Sequence, residues 1–89
     1  MKRNRLEIIK DILRIIQDNR NSIRQTPLIR KSNMSTSKFK EYYKELTEKG
    51  FVKEVTTHSG ERLISLTGKG YSFLERYKTI ISFIDEFEL

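Results

Sequence analysis

The last third of the chain sets the tightest limit on its fold. Phe73, Tyr77, Ile80, Ile84 and Phe87 recur at steps of four, three, four and three, which is the seam spacing of a coiled coil. Leu74, Ile81 and Phe83 broaden the stripe. Thr67 supplies a hydroxyl N-cap, so the spacing predicts a long helix over 68–87. Nothing after it in these 89 residues covers it. Its first turns can rest on an N-terminal helix of the same chain. Ile80 to Phe87 lie about 15–25 Å further along the axis, beyond the body of so small a domain. The stripe therefore reads as a seam with a second chain. The alternative is that it packs wholly on residues 5–16.

Composition narrows the function. The chain has 18 Lys+Arg against 12 Asp+Glu, a formal charge of +6, with one His and no Cys. Disulfides, thiolate metal sites and thiol nucleophiles are excluded, and His58 alone makes no multi-His site. There is no phosphate loop and no catalytic His pairing. Asp85, Glu86 and Glu88 read as a solubilising end or as partners for basic residues of another chain. No enzyme activity, metal or cofactor is expected. No uncharged run exceeds six residues, against the roughly 20 of a membrane span. The first 17 residues carry charges inside their apolar stretch and lack a small-residue cleavage site, so no signal peptide is expected. The expectation is a small, soluble, cytoplasmic domain. Its charge is uneven: residues 1–53 hold 14 basic and 6 acidic residues (+8), and residues 54–89 hold 4 and 6 (−2). A basic body of this kind suits nucleic acid.

The remaining elements follow from periodicity and punctuation. Leu6, Ile9, Leu13 and Ile16 mark a helix over 5–17, and Ile8, Ile12 and Ile15 widen its apolar stripe. Either this helix is buried on two sides or a second chain covers the extra side. Residues 18–22 read as a loop, and Ile23 as a very short extended segment. Thr26 and Pro27 read as N-cap and first residue of a short helix to about Lys31. Ser35 caps a helix over 35–49, with Phe39, Tyr43 and Leu46 inward. Gly50 stops it in the left-handed position. Residues 51–55 and 62–66 read as strands joined by the turn Thr57-His58-Ser59-Gly60. Gly68 and Gly70 open the last helix and invite a close backbone approach to the hairpin.

The resulting order is helix, short strand, helix, helix, hairpin, long helix, which is that of a winged helix-turn-helix. Particular residues carry a resemblance too. They are Asn33-Met34-Ser35 before the third helix, Tyr42-Tyr43 and Leu46 ahead of Lys49-Gly50-Phe51-Val52, and Leu66-Thr67 with Lys69-Gly70. On these the chain, over roughly residues 6–80, resembles the small archaeal winged-helix proteins, and most of all the small chromatin-associated DNA-binding dimers. The resemblance implies a homodimer joined by an antiparallel coiled coil of the last helices.

The fold class expected is mainly α (α+β). Residues 1–66 are a winged helix-turn-helix DNA-binding domain, and residues 67–89 a helix forming an intersubunit coiled coil. The dimer seam is Phe73, Leu74, Tyr77, Ile80, Ile81, Ile84 and Phe87. The first turn of the recognition helix, Thr36-Ser37-Lys38, has no acid, which leaves its partial positive charge for a phosphate or base edge. Ser37, Lys40 and Lys44 lie on the outward face. Glu41 and Glu48 share that face. Glu41 either accepts from cytosine or pairs with Lys38 or Lys44, and Glu48 pairs with Lys44. No Arg, Asn or Gln lies there, so bidentate base readout is lacking and weak sequence preference follows. Arg30 and Lys31 sit near the backbone-crossing helix. Lys53, Ser59 and Arg62 belong to the wing, where Arg62 suits a narrow minor groove. Lys2, Arg3 and Arg5 form a basic N-terminal arm. His58 reads as an exposed turn residue. Tyr42 reads as packing, with a phosphate bond as the alternative. The function expected is a dimeric, sequence-tolerant double-stranded DNA-binding protein, a transcriptional regulator or a nucleoid-associated chromatin protein. The alternative is a winged-helix protein-interaction module that binds no DNA.

Overall fold

The computed structural model describes residues 3–89, so Lys2 of the expected arm lies outside the described residues. Four helices and one hairpin follow the expected order: α1 (Arg5–Asp18), α2 (Gln25–Ser32), α3 (Thr36–Glu48), β1 (Val52–Thr56), β2 (Arg62–Leu66) and α4 (Gly68–Glu86). The chain is mainly α with one small antiparallel sheet.

α1 begins with a full capping box. The Asn4 side chain accepts from the Glu7 N–H, and the Glu7 carboxylate accepts from the Asn4 N–H. Two unpaired donors of the first turn are thereby satisfied. Ile9, Ile12, Leu13 and Ile16 are buried, and Ile8 and Ile15 pack half-buried against the same core. The wide stripe is covered within the chain, because α2, β2 and α4 all pack on this helix. Leu6 alone of the stripe stays exposed.

α2 starts earlier than Thr26-Pro27 suggests. Its N-cap is Arg24, whose extended backbone makes no side-chain cap, and Thr26 and Pro27 occupy the second and third helical positions. Proline is tolerated there because the first-turn N–H groups need no intrahelical partner. Asn33 ends α2 in the left-handed conformation at φ 58°, which Asn adopts more readily than most residues. Three residues later α3 begins, capped by the Ser35 hydroxyl, which accepts from the Lys38 N–H at 3.2 Å. Gly50 follows α3 at φ 78°, a conformation that any side chain would strain.

β1 and β2 pair from Val52↔Leu66 to Thr56↔Arg62, and Ile23 adds a bridge to Ile64. The short extended segment is therefore a third lane of this small sheet. Phe51 does not join the ladder; β1 starts one residue later than the apolar pattern suggests and runs to Thr56. The Phe51 carbonyl instead accepts from the Thr67 N–H at 3.1 Å.

α4 is capped by Thr67, as its hydroxyl accepts from the Gly70 N–H at 3.2 Å. Only one of the two opening glycines is needed for a close approach. A Cβ at Gly70 would lie 2.4 Å from the Phe51 carbonyl oxygen, whereas one at Gly68 meets nothing within 4 Å. Phe73 and Leu74 pack half-buried on the chain's own core, with Phe73 edge-on to Phe51 at 5.5 Å between centroids. Beyond Tyr77 the helix leaves the body, and the molecule measures 50 × 26 × 22 Å. Ile80, Ile81, Phe83 and Phe87 are 55, 40, 54 and 57% exposed. The open part of the stripe is thus Ile80 to Phe87, and Phe83 belongs to it. No helix among the described residues is long and apolar enough to cross a membrane.

The Gly70 contact yields a direct test. Gly70→Ala forces backbone apart and is expected to destabilise by about 1–3 kcal/mol. Gly68→Ala is expected to be neutral, or to stabilise by up to about 1 kcal/mol through helix propensity. Urea denaturation of the two variants distinguishes these outcomes.

Candidate nucleic-acid interface

The outward face of α3 is set by its inward one. Phe39 and Leu46 are fully buried, and Tyr42 and Tyr43 are half-buried beside them. This rotation leaves Ser37, Lys38, Lys40, Lys44 and Glu48 exposed, with Thr36 at the tip. The Lys38–Glu41 pair forms at 3.8 Å. The expected Lys44–Glu48 pair does not form within 4 Å, so the Lys44 ammonium faces solvent without a carboxylate partner among the described residues.

One flank of α3 opens into a cleft against α2. Gln25, Thr26, Ile29, Arg30, Thr36 and Lys40 line it. Arg30 and Lys40 thus come together with two hydroxyls and an amide, and no carboxylate lines the cleft. Two cations and short donors around a concavity suit a phosphate oxygen. Lys31, next in sequence to Arg30, lies elsewhere: its ammonium donates to the Asn19 side chain at 3.3 Å, against the end of α1.

The other flank of α3 meets the hairpin. The Tyr43 hydroxyl donates to the Glu54 carboxylate on β1 at 2.6 Å, and the Tyr43 ring stacks on Phe39 at 5.7 Å. Burial first, and then the Glu54 bond and charge, push the Tyr43 hydroxyl well above its ordinary range. At the far end of the wing Arg24, the N-cap of α2, pairs with Glu61 at 2.6 Å. The wing is therefore tied to both helices of the helix-turn-helix. Lys53, Ser59 and Arg62 are exposed on it. The Thr57 hydroxyl closes its tip, accepting from the Glu61 N–H at 3.1 Å and meeting the Ser59 hydroxyl at 3.0 Å. His58 is exposed in that turn.

The N-terminal cations are tied down rather than held out as an arm. Arg3 pairs with Asp11 at 2.9 Å and donates to the Ser32 carbonyl at 3.1 Å. Burial alone would raise the Asp11 carboxyl, but the hydrogen bonds and charges of Lys10 and Arg3 outweigh it and hold that group below its usual range. Arg5 makes a two-pronged pair with Glu45 of α3, which also takes Lys49 at 2.7 Å. Glu45 lies five residues from Lys40, about 140° around the helix. Arg3 and Arg5 thus serve contacts between α1 and the helix-turn-helix. Their carboxylate partners lie 8 and 40 residues away, outside any local spacing rule. The same holds for Tyr43–Glu54. Among the described residues no group of three or more His, Cys, Asp or Glu side chains is placed to hold a metal ion.

A three-helix body with a cleft between α2 and α3 and a tethered two-stranded hairpin defines a winged helix-turn-helix domain. The family model described as winged helix-turn-helix matches residues 2–85, and the chain belongs to that family. Among solved structures it is similar to SSV1 F-93, at 33% identity over 98% of this chain and 97% of that one, with a TM-score of 0.70. It also shares its fold with Sso10a-2, a DNA-binding protein from Sulfolobus solfataricus, at 20% identity over 97% and 86% of the two chains and a TM-score of 0.75. A search of curated proteins finds no match.

The Tyr43–Glu54 bond sets the next prediction. Tyr43→Phe keeps the stacked ring and is expected to cost about 1 kcal/mol of stability. Because the folded state raises this hydroxyl's pKa, its contribution is present below about pH 10 and is lost as pH rises further. Urea melts of wild type and variant across that range should therefore converge at high pH.

Proposed function

We propose that the chain is a dimeric, sequence-tolerant double-stranded DNA-binding protein, acting as a transcriptional regulator or a chromatin protein. α3 enters the major groove with Thr36, Ser37, Lys38, Lys40 and Lys44. Arg30 holds a phosphate from the α2–α3 cleft, and the hairpin follows the adjacent minor groove with Lys53, Ser59 and Arg62. The observation that carries this reading is the cleft that joins Arg30 and Lys40 without a carboxylate, beside the exposed Lys44. Membership of the winged helix-turn-helix family supports it, as does the fold shared with a DNA-binding protein. Arg, Asn and Gln, whose planar groups read guanine or adenine through two hydrogen bonds, are missing from the outward face of α3, so phosphate contacts supply most of the affinity. Lys31, Arg3 and Arg5 are left out of this surface because other contacts occupy them. The dimer contact is the stripe of exposed Ile80, Ile81, Phe83 and Phe87, together with Tyr77 and Ile84, which are half-buried in the single chain. Two basic heads then share one apolar bar.

A titration of random-sequence duplex against salt tests the reading. The log–log slope should change by about −0.9 for each phosphate neutralised. Lys40→Ala and Arg30→Ala should each weaken binding uniformly across sequences and reduce the slope by about 1. Absence of duplex binding at low salt overturns this function and favours the protein-interaction module.

A further inference from the structure

A groove runs between α1 and α4 where the two helices part. Leu74, Tyr77 and Ile81 form its apolar floor, and Lys10, Arg14 and Lys78 stand around it. Asp18 and Glu75 line it too, and Asp11 shares its charge between Lys10 and Arg3. The lining carries a balance of +1, from three cations and two carboxylates. An occupant of matching chemistry has an apolar side chain flanked by acids.

We propose that this groove receives the last turn of α4 from a second copy of the chain. Phe87 lies on the floor, and Asp85, Glu86 and Glu88 meet the cations. The proposal rests on the dimer reading above and specifies what the dimer contact contains. The exposed Phe87 ring, 57% open and 4.9 Å from that of Phe83, sits among those three acids in sequence. The chain's own tail cannot reach the groove. α4 is continuous to Glu86, so Phe87 lies about 14 Å beyond Lys78 along the same axis. A second copy can reach it in one alignment only. Side by side in parallel, each acidic trio would face its own copy, and like charges repel. Reversed and centred on Ile80 and Ile81, Asp85 comes level with Arg76, Phe87 with Leu74 and Glu86 with Glu75, where Lys10 and Arg14 of α1 line the same groove. Each tail then reaches the other copy's groove. The alignment that the resemblance implies thus has a cause in the charge gradient along α4.

Sedimentation equilibrium on the full chain, at low and high salt, tests this with two double reversals. One alters the rim, Arg14→Glu with Lys78→Glu, and the other the tail, Asp85→Lys with Glu86→Lys. All four side chains are exposed, and circular dichroism verifies that both variants fold. Wild type should be a dimer that salt weakens. Each variant alone should lose about tenfold or more in dimer affinity, which is about 1.4 kcal/mol. An equimolar mixture should recover it, because both contacts are again between opposite charges in the mixed dimer. Reversals that leave dimer affinity within about twofold, or a mixture that recovers nothing, overturn the tail–groove contact while the dimer stands. A monomeric wild-type chain overturns the dimer reading itself, and the contact with it.

Discussion

Burial of α1 is the constraint on which the rest depends. Ile12, Leu13 and Ile16 have no exposed surface, and burial of each such side chain stabilises the fold by about 1.5–3 kcal/mol. Because α2, β2 and α4 all pack on this one helix, each takes its position from it rather than from its neighbours in sequence. β2 carries the hairpin with it. The ladder fixes β1, and Glu54 on β1 meets Tyr43 on α3. The wing thus reaches the recognition helix through a chain of contacts that begins at α1. The Ile23–Ile64 bridge closes the same circuit from the other side.

The carboxylates of the N-terminal part have a second effect. Asp11 takes Arg3 and Lys10, Glu45 takes Arg5 and Lys49, and Glu7 is used in a cap. Exposed pairs of this kind contribute about 0–1 kcal/mol each, so their importance lies in orientation. They draw Arg3 and Arg5 into contacts that join α1 to α2 and α3. Among the described residues, the cations left without carboxylate or other hydrogen-bond partners fall into two groups: Arg30, Lys40, Lys44, Lys53 and Arg62 on α2, α3 and the wing, and Arg14, Arg20, Arg76 and Lys78 on or beside α1 and on α4. The acids that remain beside α3 are Glu41, turned to Lys38, and Glu48.

What was legible in the sequence was local. A capping hydroxyl acts within three residues, so Ser35 and Thr67 mark their helices, and Gly50 marks where α3 stops. Periodicity placed the buried faces of α1 and α3, and order alone gave the winged helix-turn-helix. The start of α2 was misread because Thr-Pro is a good cap locally, whereas packing of Leu28 into the core let the helix begin at Gln25. A run of cations shows its charge, but the acid that neutralises Arg5 lies 40 residues on. The Arg30–Lys40 cleft was half legible: both residues stood out, and only the crossing of α2 and α3 brought them to one concavity.

The end of α3 and the start of α4 are built as one joint. The carbonyls of the last turn of α3 take the N–H groups of Lys49, Gly50 and Phe51, and the opening of α4 takes the two carbonyls that follow. The Thr67 hydroxyl donates to the Gly50 carbonyl at 2.5 Å, and the Lys69 ammonium to the Lys49 carbonyl at 2.7 Å. The Thr67 N–H donates to Phe51, against which Gly70 lies with no room for a side chain. Lys69 also stands over the Phe51 ring at 4.9 Å. These contacts bind the recognition helix to the helix that leaves the body, without a linker between them. A turn of α4 is therefore a turn of α3. In the proposed dimer, the angle at which two copies of α4 cross sets the spacing and tilt of the two recognition helices. Flexible linkers would let two heads find phosphates independently. In the proposed dimer a rigid joint would instead present one fixed spacing to a duplex, and DNA would be selected by its shape where α3 lacks the Arg, Asn and Gln that read a base through two hydrogen bonds.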